Sequence, residues 1–306
     1  KGGLRGKMNK TNYMESYKNG TLHKNLIKLK KHIYNCHLCP HKCGVDRRSA
    51  TGFCKSLDKA VVSSYGPHFG EEKILTGRKG SGTIFFAYCN MRCVFCQNYE
   101  LSHYGRGNTV TAEKLSKIML LLQNHYRCSN INLVTPTHFT TNIVEALSLA
   151  MGKGLNLPII YNCGGYESLE TLQLLDGVID IYMPDFKYFD NTVSEKYSKI
   201  TDYPNKVKRA IKEMDRQVGG LKIAGNGLTY KGLLIRHLIL PGGLKDTKKI
   251  LNFIKAELSA DVGVNLMEQY YPAHKASQYP EIGKRLEKLE YVEAIKYAEE
   301  IGINLI

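Results

Sequence analysis

The sequence predicts an α/β protein, a partial (β/α)6 barrel of parallel strands with a small amino-terminal metal-bound Cys-rich module. Two observations predict it. Over residues 76–306 six short apolar runs alternate with segments of helical spacing, and parallel strands need crossovers of that kind. Seven of the nine cysteines fall in two tight groups, Cys36, Cys39, Cys43, Cys54 and then Cys89, Cys93, Cys96. Such clustering in a chain of 306 residues points to metal ligation, because a disulfide framework spreads its cysteines through a small secreted scaffold.

Taken in order, residues 1–33 form a basic arm, partly helical or disordered. Leu22, Leu26, Ile27, Leu29 and Ile33 are spaced for one face of a helix lying on the main body. The Lys- and Asn-rich remainder suits a solvated segment. Residues 34–75 set the first cysteine group among Gly, Pro and short polar turns, a loop-rich module organised by a metal. Residues 76–306 carry the barrel. Strands are expected at 83–88, 131–134, 158–161, 178–182, 233–238 and 262–267, and helices at 112–125, 142–151, 168–175, 206–218, 246–258 and 287–300. Six units fall short of a closed eight-stranded barrel, so the sheet stays open and its chemistry belongs at the carboxyl ends of the strands. Residues 221–230, with Asn226-Gly227 between apolar pairs, read as a hairpin added to that plan.

Composition narrows the setting. No run approaches the eighteen or more apolar residues of a membrane span, and Lys1-Gly2-Gly3-Leu4-Arg5 lacks the apolar stretch of a secretory signal. A cytoplasmic protein with no membrane partner is expected. The formal charge of +15 is unevenly held: residues 1–55 contain thirteen Lys or Arg against Glu15 and Asp46. That front end reads either as a landing surface for an acidic protein or RNA, or as a solubilising arm. Nucleic acid is admitted by charge alone, with no RNA-binding motif behind it.

Cys89-Asn-Met-Arg-Cys93-Val-Phe-Cys96 places three thiols in a short loop after an expected strand. A four-iron, four-sulfide cubane takes four thiolates in ferredoxins, so three leave one iron open to a ligand. Phe95 sits where a side chain meets whatever fills that position. The zinc reading needs a fourth ligand, and His103 is the near candidate. Cys36-x-x-Cys39-Pro-x-x-Cys43 with Cys54 supplies four thiolates, a closed site for zinc or an auxiliary iron–sulfur cluster. Such a site folds the module or relays electrons. Cys128 and Cys163 stand apart as ordinary buried thiols.

The triplet with Gln97-Asn98 resembles the cluster loop of radical S-adenosylmethionine enzymes. Gly80-Ser-Gly-Thr-Ile-Phe-Phe, Asn132-Leu-Val-Thr-Pro-Thr-His-Phe and Tyr161-Asn-Cys-Gly-Gly-Tyr-Glu-Ser-Leu-Glu make the chain similar to pyruvate formate-lyase activating enzyme-like proteins with an amino-terminal Cys-rich module, over roughly residues 34 to 300. The resemblance implies a 4Fe-4S cluster on Cys89, Cys93 and Cys96, with S-adenosylmethionine on its open iron. It implies cofactor contacts from Phe95, Asn98, Thr135, Thr137, Asn162, Asp185, Lys187 and His274. Thr135-Pro136-Thr137-His138 stands where those enzymes have Gly-Gly-Glu, so hydroxyls and carbonyls replace a carboxylate. Lys187 would bring charge to the cofactor's carboxylate. Asp185, with backbone near Asn162, Cys163 and Met183, resembles a monovalent cation site, although Asn162 replaces the usual Asp. Structurally neutral readings accompany these roles: a surface ion pair for Asp185 and Lys187, and a packing role for His274.

The implied activity is reductive cleavage of S-adenosylmethionine to a 5′-deoxyadenosyl radical, with the electron from a flavodoxin- or ferredoxin-like donor and the hydrogen taken from a glycine of a glycyl radical enzyme. Two other readings stand beside it, radical modification of a small molecule, peptide or RNA, and a non-catalytic metal-stabilised binding module. The glycine-rich stretches 77–82 and 241–243 lack the strand-to-helix context of a nucleotide fingerprint and are read as connector and turn.

Overall fold

The computed structural model describes residues 11–306, among which no helix is long and apolar enough to cross a membrane. Nine strands make one sheet. They are β1 (Ala60–His68), β2 (Ser81–Phe86), β3 (Asn108–Val110), β4 (Ile131–Val134), β5 (Ile159–Cys163), β6 (Ile181–Pro184), β7 (Lys222–Ile223), β8 (Thr229–Leu238) and β9 (Gly263–Met267). Parallel pairing runs β2–β4–β5–β6–β8–β9. Those are the six strands expected from the sequence, joined into the open (β/α)6 plan.

The crossover helices follow local chemistry. Thr111 caps Ala112–Asn124 by accepting from the Lys114 N–H, and Asp190 does the same for Asn191–Ser198 through Thr192. Pro204 sits in the first turn of Tyr203–Val218, where a missing N–H costs nothing. That helix buries Val207, Ala210, Ile211, Met214 and Val218, spaced to keep one face on the sheet. Between helices and strands the core is continuous, with Ile84, Leu133, Ile159, Tyr161, Tyr182 and Leu233 fully buried.

One feature differs from the sequence expectation. β1 belongs to the main sheet, antiparallel to β2 and β3, so the stretch 34–75 does not stand apart as a loop module over its whole length. Ser63, Ser64, Gly66 and Pro67 dilute the apolar alternation that would have marked the strand. The arm, from residue 11 onward, is two helices, Asn12–Lys18 and Thr21–Tyr34, docked on the barrel, the second of them the helix expected to lie on the main body. Its docking bonds are specific: Tyr13 donates to the Leu157 carbonyl at 2.7 Å, Ser16 to that of Gly177 at 2.7 Å, and Asn12 N–H to Asp180 at 2.7 Å. Residues 1–10 lie outside the described residues. The 221–230 hairpin forms as expected, β7 pairing antiparallel with the start of β8.

Candidate active site at the carboxyl ends of the strands

After β2 the chain leaves the sheet through Ala87 and Tyr88 and turns into the three-cysteine loop. Tyr88 takes a positive φ of 68°, a conformation costly for a bulky residue and often kept at sites. The loop opens onto a cavity of about 330 Å³ at the strand ends, lined by Cys89, Cys93, Cys96, Phe95 and Asn98 on one side and by Thr135, Asn162, Asp185 and Lys187 on the other. Six of the eight predicted cofactor-contact residues therefore share one cavity with the three thiols.

Each sulfur has a polar neighbour. The Met91 N–H donates to Cys89 Sγ at 3.4 Å, the Ser198 hydroxyl lies 3.0 Å from Cys93 Sγ, and that of Ser102 lies 3.1 Å from Cys96 Sγ. Burial, then the neighbouring Cys93 sulfur, pushes the Cys89 thiol up to about 12. Burial also raises Cys93, with Lys187 acting in the opposite direction. Thiols in this state become thiolates when a cation joins them, so the donor set fits a metal group.

Opposite the thiols, Lys187 Nζ stands 2.6 Å from Asp185 Oδ2, with the side chains 17% and 22% exposed. This is a largely enclosed pair, unlike the exposed ion pair of the neutral reading. Burial works against the ammonium, but Asp185 and the Cys93 sulfur outweigh it and raise Lys187 above its ordinary value. Tyr203 Oη accepts the Lys187 N–H at 3.0 Å and lies 2.7 Å from the Asp185 carbonyl, fixing the strand end. Gly165, at φ 78°, allows that approach: a Cβ there would stand 2.3 Å from the Asp185 carbonyl oxygen.

Two predicted contacts are not brought to the cavity. Thr137 is fully buried and donates to Glu167 Oε1 at 2.6 Å, because a 3₁₀ turn over Thr137–Phe139 carries it behind β4 while Thr135 stays on the wall. His274 stacks on Tyr99, ring centroids 5.0 Å apart, and lies 4.5 Å from the ring of His103, packing its segment against the cysteine loop. His103 packs its ring on that of His274 and is not among the residues lining the cavity. Cys163 reaches the wall as well, its buried thiol raised by desolvation and by the nearby Glu167 carboxyl.

The structure adds residues the sequence reading missed. Arg236 reaches the cavity from β8 and Glu71 from the turn after β1, 3.0 Å apart, with Glu72 3.6 Å from Arg236 on the other side. Asn132 donates to Glu71 and Asn265 to Glu72. One signal was available: Arg236 is a charge inside the apolar run Gly232-Leu-Leu-Ile-Arg-His-Leu-Ile-Leu240. Its partner Glu71 lies 165 positions away and could not be read from the pattern.

The first cysteine group sits against the back of the same loop. His41 donates to the Asn90 carbonyl at 2.9 Å, and Arg92 reaches the Phe53 carbonyl at 2.6 Å. Cys36, Cys39 and Cys54 are buried and Cys43 is exposed. Among the described residues no three His, Cys, Asp or Glu side chains converge closely enough to hold a single metal ion.

A family model described as the Radical SAM superfamily matches residues 83–230. The uncharacterized protein MJ0674 of Methanocaldococcus jannaschii is 36% identical over 291 residues, covering 92% of this chain and 79% of that protein. A second uncharacterized protein of that organism, MJ0808, is 22% identical over 272 residues, covering 83% and 75%. Among solved structures, Streptococcus suis SuiB bound to S-adenosylmethionine superposes with a TM-score of 0.49 at 13% identity, over 72% of this chain and 48% of that one. A domain of pyruvate-formate lyase-activating enzyme from Bacteroides vulgatus gives 0.43 at 12% identity, over 58% and 98%.

Proposed function

Because this chain belongs to the radical SAM superfamily, we propose that it is an iron–sulfur enzyme cleaving S-adenosylmethionine in the cavity between Cys89, Cys93, Cys96 and the Asp185–Lys187 pair. The observation that carries the reading is that three thiols of one short loop and a largely buried ammonium face one cavity. Cys89, Cys93 and Cys96 would hold a 4Fe-4S cluster. The cluster and S-adenosylmethionine together supply, when bound, the electron and the 5′-deoxyadenosyl group that abstracts hydrogen from a target.

The chain's own residues bind, orient and exclude. Lys187 offers the cofactor's carboxylate a charge-assisted contact that Asp185 holds in place. The hydroxyl of Thr135 and the amide of Asn162 offer acceptors to its ammonium group. Asp185 with Asn162 is also the place for a monovalent cation. Phe95, edge-on to Tyr188 and Tyr270, closes the wall behind the loop. The target we favour is a glycine of a glycyl radical enzyme, with a flavodoxin- or ferredoxin-like protein as electron donor, and the Lys-rich arm suits an acidic partner.

The test begins with anaerobic reconstitution and an assay for 5′-deoxyadenosine under reductant. Formation of that product with deuterium carried from a glycine-labelled partner enzyme supports the full reading. Product without transfer from any glycyl enzyme refutes the target, and no product from fully loaded protein refutes the reaction.

A further inference from the structure

Arg47 is 2% exposed, and among the described residues no carboxylate comes within ion-pair range of it. Its sequence neighbour Asp46 is engaged with Arg48, and residues 1–10 contain no Asp or Glu. A buried cation without an anion is among the costliest arrangements a fold can keep. What surrounds it is neutral. Nη1 donates to the His138 carbonyl at 2.6 Å, Nη2 to the Leu57 carbonyl at 2.6 Å and to Ser56 Oγ at 2.8 Å, the Phe139 ring lies 5.9 Å away, and Nε has no partner.

The path from Arg47 leads to sulfur. Ser56 Oγ, which accepts from the guanidinium, lies 3.1 Å from Cys54 Sγ, so its own proton is free to point at that sulfur. A second thiol of the group also faces a donor: the Phe53 N–H reaches Cys43 Sγ at 3.4 Å. Two sulfurs of the four are met by donors, and the buried cation nearby is unpaired. Neutral thiols require neither.

We propose that Cys36, Cys39, Cys43 and Cys54 form a second, anionic four-thiolate metal centre whose charge is balanced by Arg47 through Ser56. Four thiolates give a net negative charge on zinc and on an iron–sulfur cluster alike. The sulfurs lie within electrostatic reach of one another. Arg47 acts here as a positioning residue and never as a ligand. Through its bond to the His138 carbonyl, and from His138 Nε2 to the Ala87 carbonyl at 2.8 Å, it also ties this centre to the strand end that launches the three-cysteine loop.

The experiment reads metal content, independently of the reaction, on the full chain purified without oxygen. Wild type is expected to carry about four irons, or about one zinc, beyond the about four irons of the triplet cluster. Cys54→Ser should lose that increment and keep the triplet's iron. Arg47→Met should weaken retention against a chelator about 10- to 100-fold, the range for groups behind metal ligands, and Arg47→Lys should recover part of it by restoring charge. A wild-type chain with about four irons and no zinc overturns the centre. Chelator resistance unchanged in Arg47→Met, or unrescued by Lys, overturns the role of Arg47. Second-centre metal in a chain that makes no 5′-deoxyadenosine refutes the reaction and leaves this inference standing; cleavage without that metal does the reverse.

Discussion

Replacing Lys187 by Met removes the ammonium opposite the three thiols while nearly conserving volume, so the effect is electrostatic and not a cavity. In the native site Lys187 Nζ is 2.6 Å from Asp185, and both side chains are mostly enclosed. Breaking a fully buried pair costs about 3–5 kcal/mol because the remaining charge is stranded. Water still reaches Asp185, which reduces the expected loss of stability to about 1–3 kcal/mol. Binding is a separate quantity. A charge-assisted contact to a carboxylate is worth about 1.5–3 kcal/mol, so the Kd for S-adenosylmethionine should rise about 10- to 150-fold. The double variant Asp185→Asn/Lys187→Met should regain most of the stability and none of the affinity. Equilibrium dialysis on reconstituted protein and urea unfolding measure the two. Affinity within about twofold of wild type in Lys187→Met would refute the assignment of Lys187 to the cofactor.

Cys93→Ala should lower bound iron by about four per chain and take 5′-deoxyadenosine below detection; retained cleavage sinks the triplet assignment. Glu167, buried behind the cavity, has its carboxyl pushed by desolvation from 4.5 to about 7, against hydroxyl donation from Thr137 and Tyr161. Its folded value lies above the unfolded one, so its contribution to stability is complete in acid and is lost as pH rises from about 4.5 to about 7, by up to about 3 kcal/mol. Glu167→Gln should flatten that part of the pH profile of unfolding, and an identical profile contradicts the burial argument. Glu71→Gln, measured near pH 8 where carboxylates ionise, should weaken S-adenosylmethionine by about 5- to 30-fold, the effect of one charge about 8 Å away at an effective dielectric near 20. S-adenosylhomocysteine, with its uncharged sulfur, should change less, and equal losses for both ligands refute an effect of charge.

The alternation of strand and helix was legible because burial on both faces makes parallel strands continuous apolar runs. β4 therefore falls at Ile131–Val134 as the sequence predicts. β1 was not legible, since its polar residues and Pro67 hide a strand that only pairing with β2 explains. In the site, the cysteine spacing identified the loop, and Asp185 with Lys187 lie close enough in sequence for a strand end to bring them together. Thr135 and Thr137 look equivalent as text; a single 3₁₀ turn separates them in space. Arg47 had no local signal at all, because its meaning lies in an absent carboxylate and in sulfurs reached through Ser56.

Charge in the barrel mouth follows from register. Asp185 on the β6 end bridges Arg236 of β8, so acids and bases are set side by side across adjacent strands. Glu71 and Asp185 line the cavity with Arg236 and Lys187, and Glu72 stands behind Arg236, so the network as a whole sets three acids against two bases. Buried pairs contribute little to stability relative to apolar residues of the same size, so packing alone gives no reason to fill a barrel with them. An excess of one negative charge does have a use. S-adenosylmethionine carries a sulfonium, an ammonium and a carboxylate, a net positive charge, and a cavity with fixed charges of opposite sign holds it without reorganising when it arrives. The imbalance would serve a neutral ligand poorly, which is why the comparison with S-adenosylhomocysteine separates a site built for this sulfonium from one that merely admits a nucleoside.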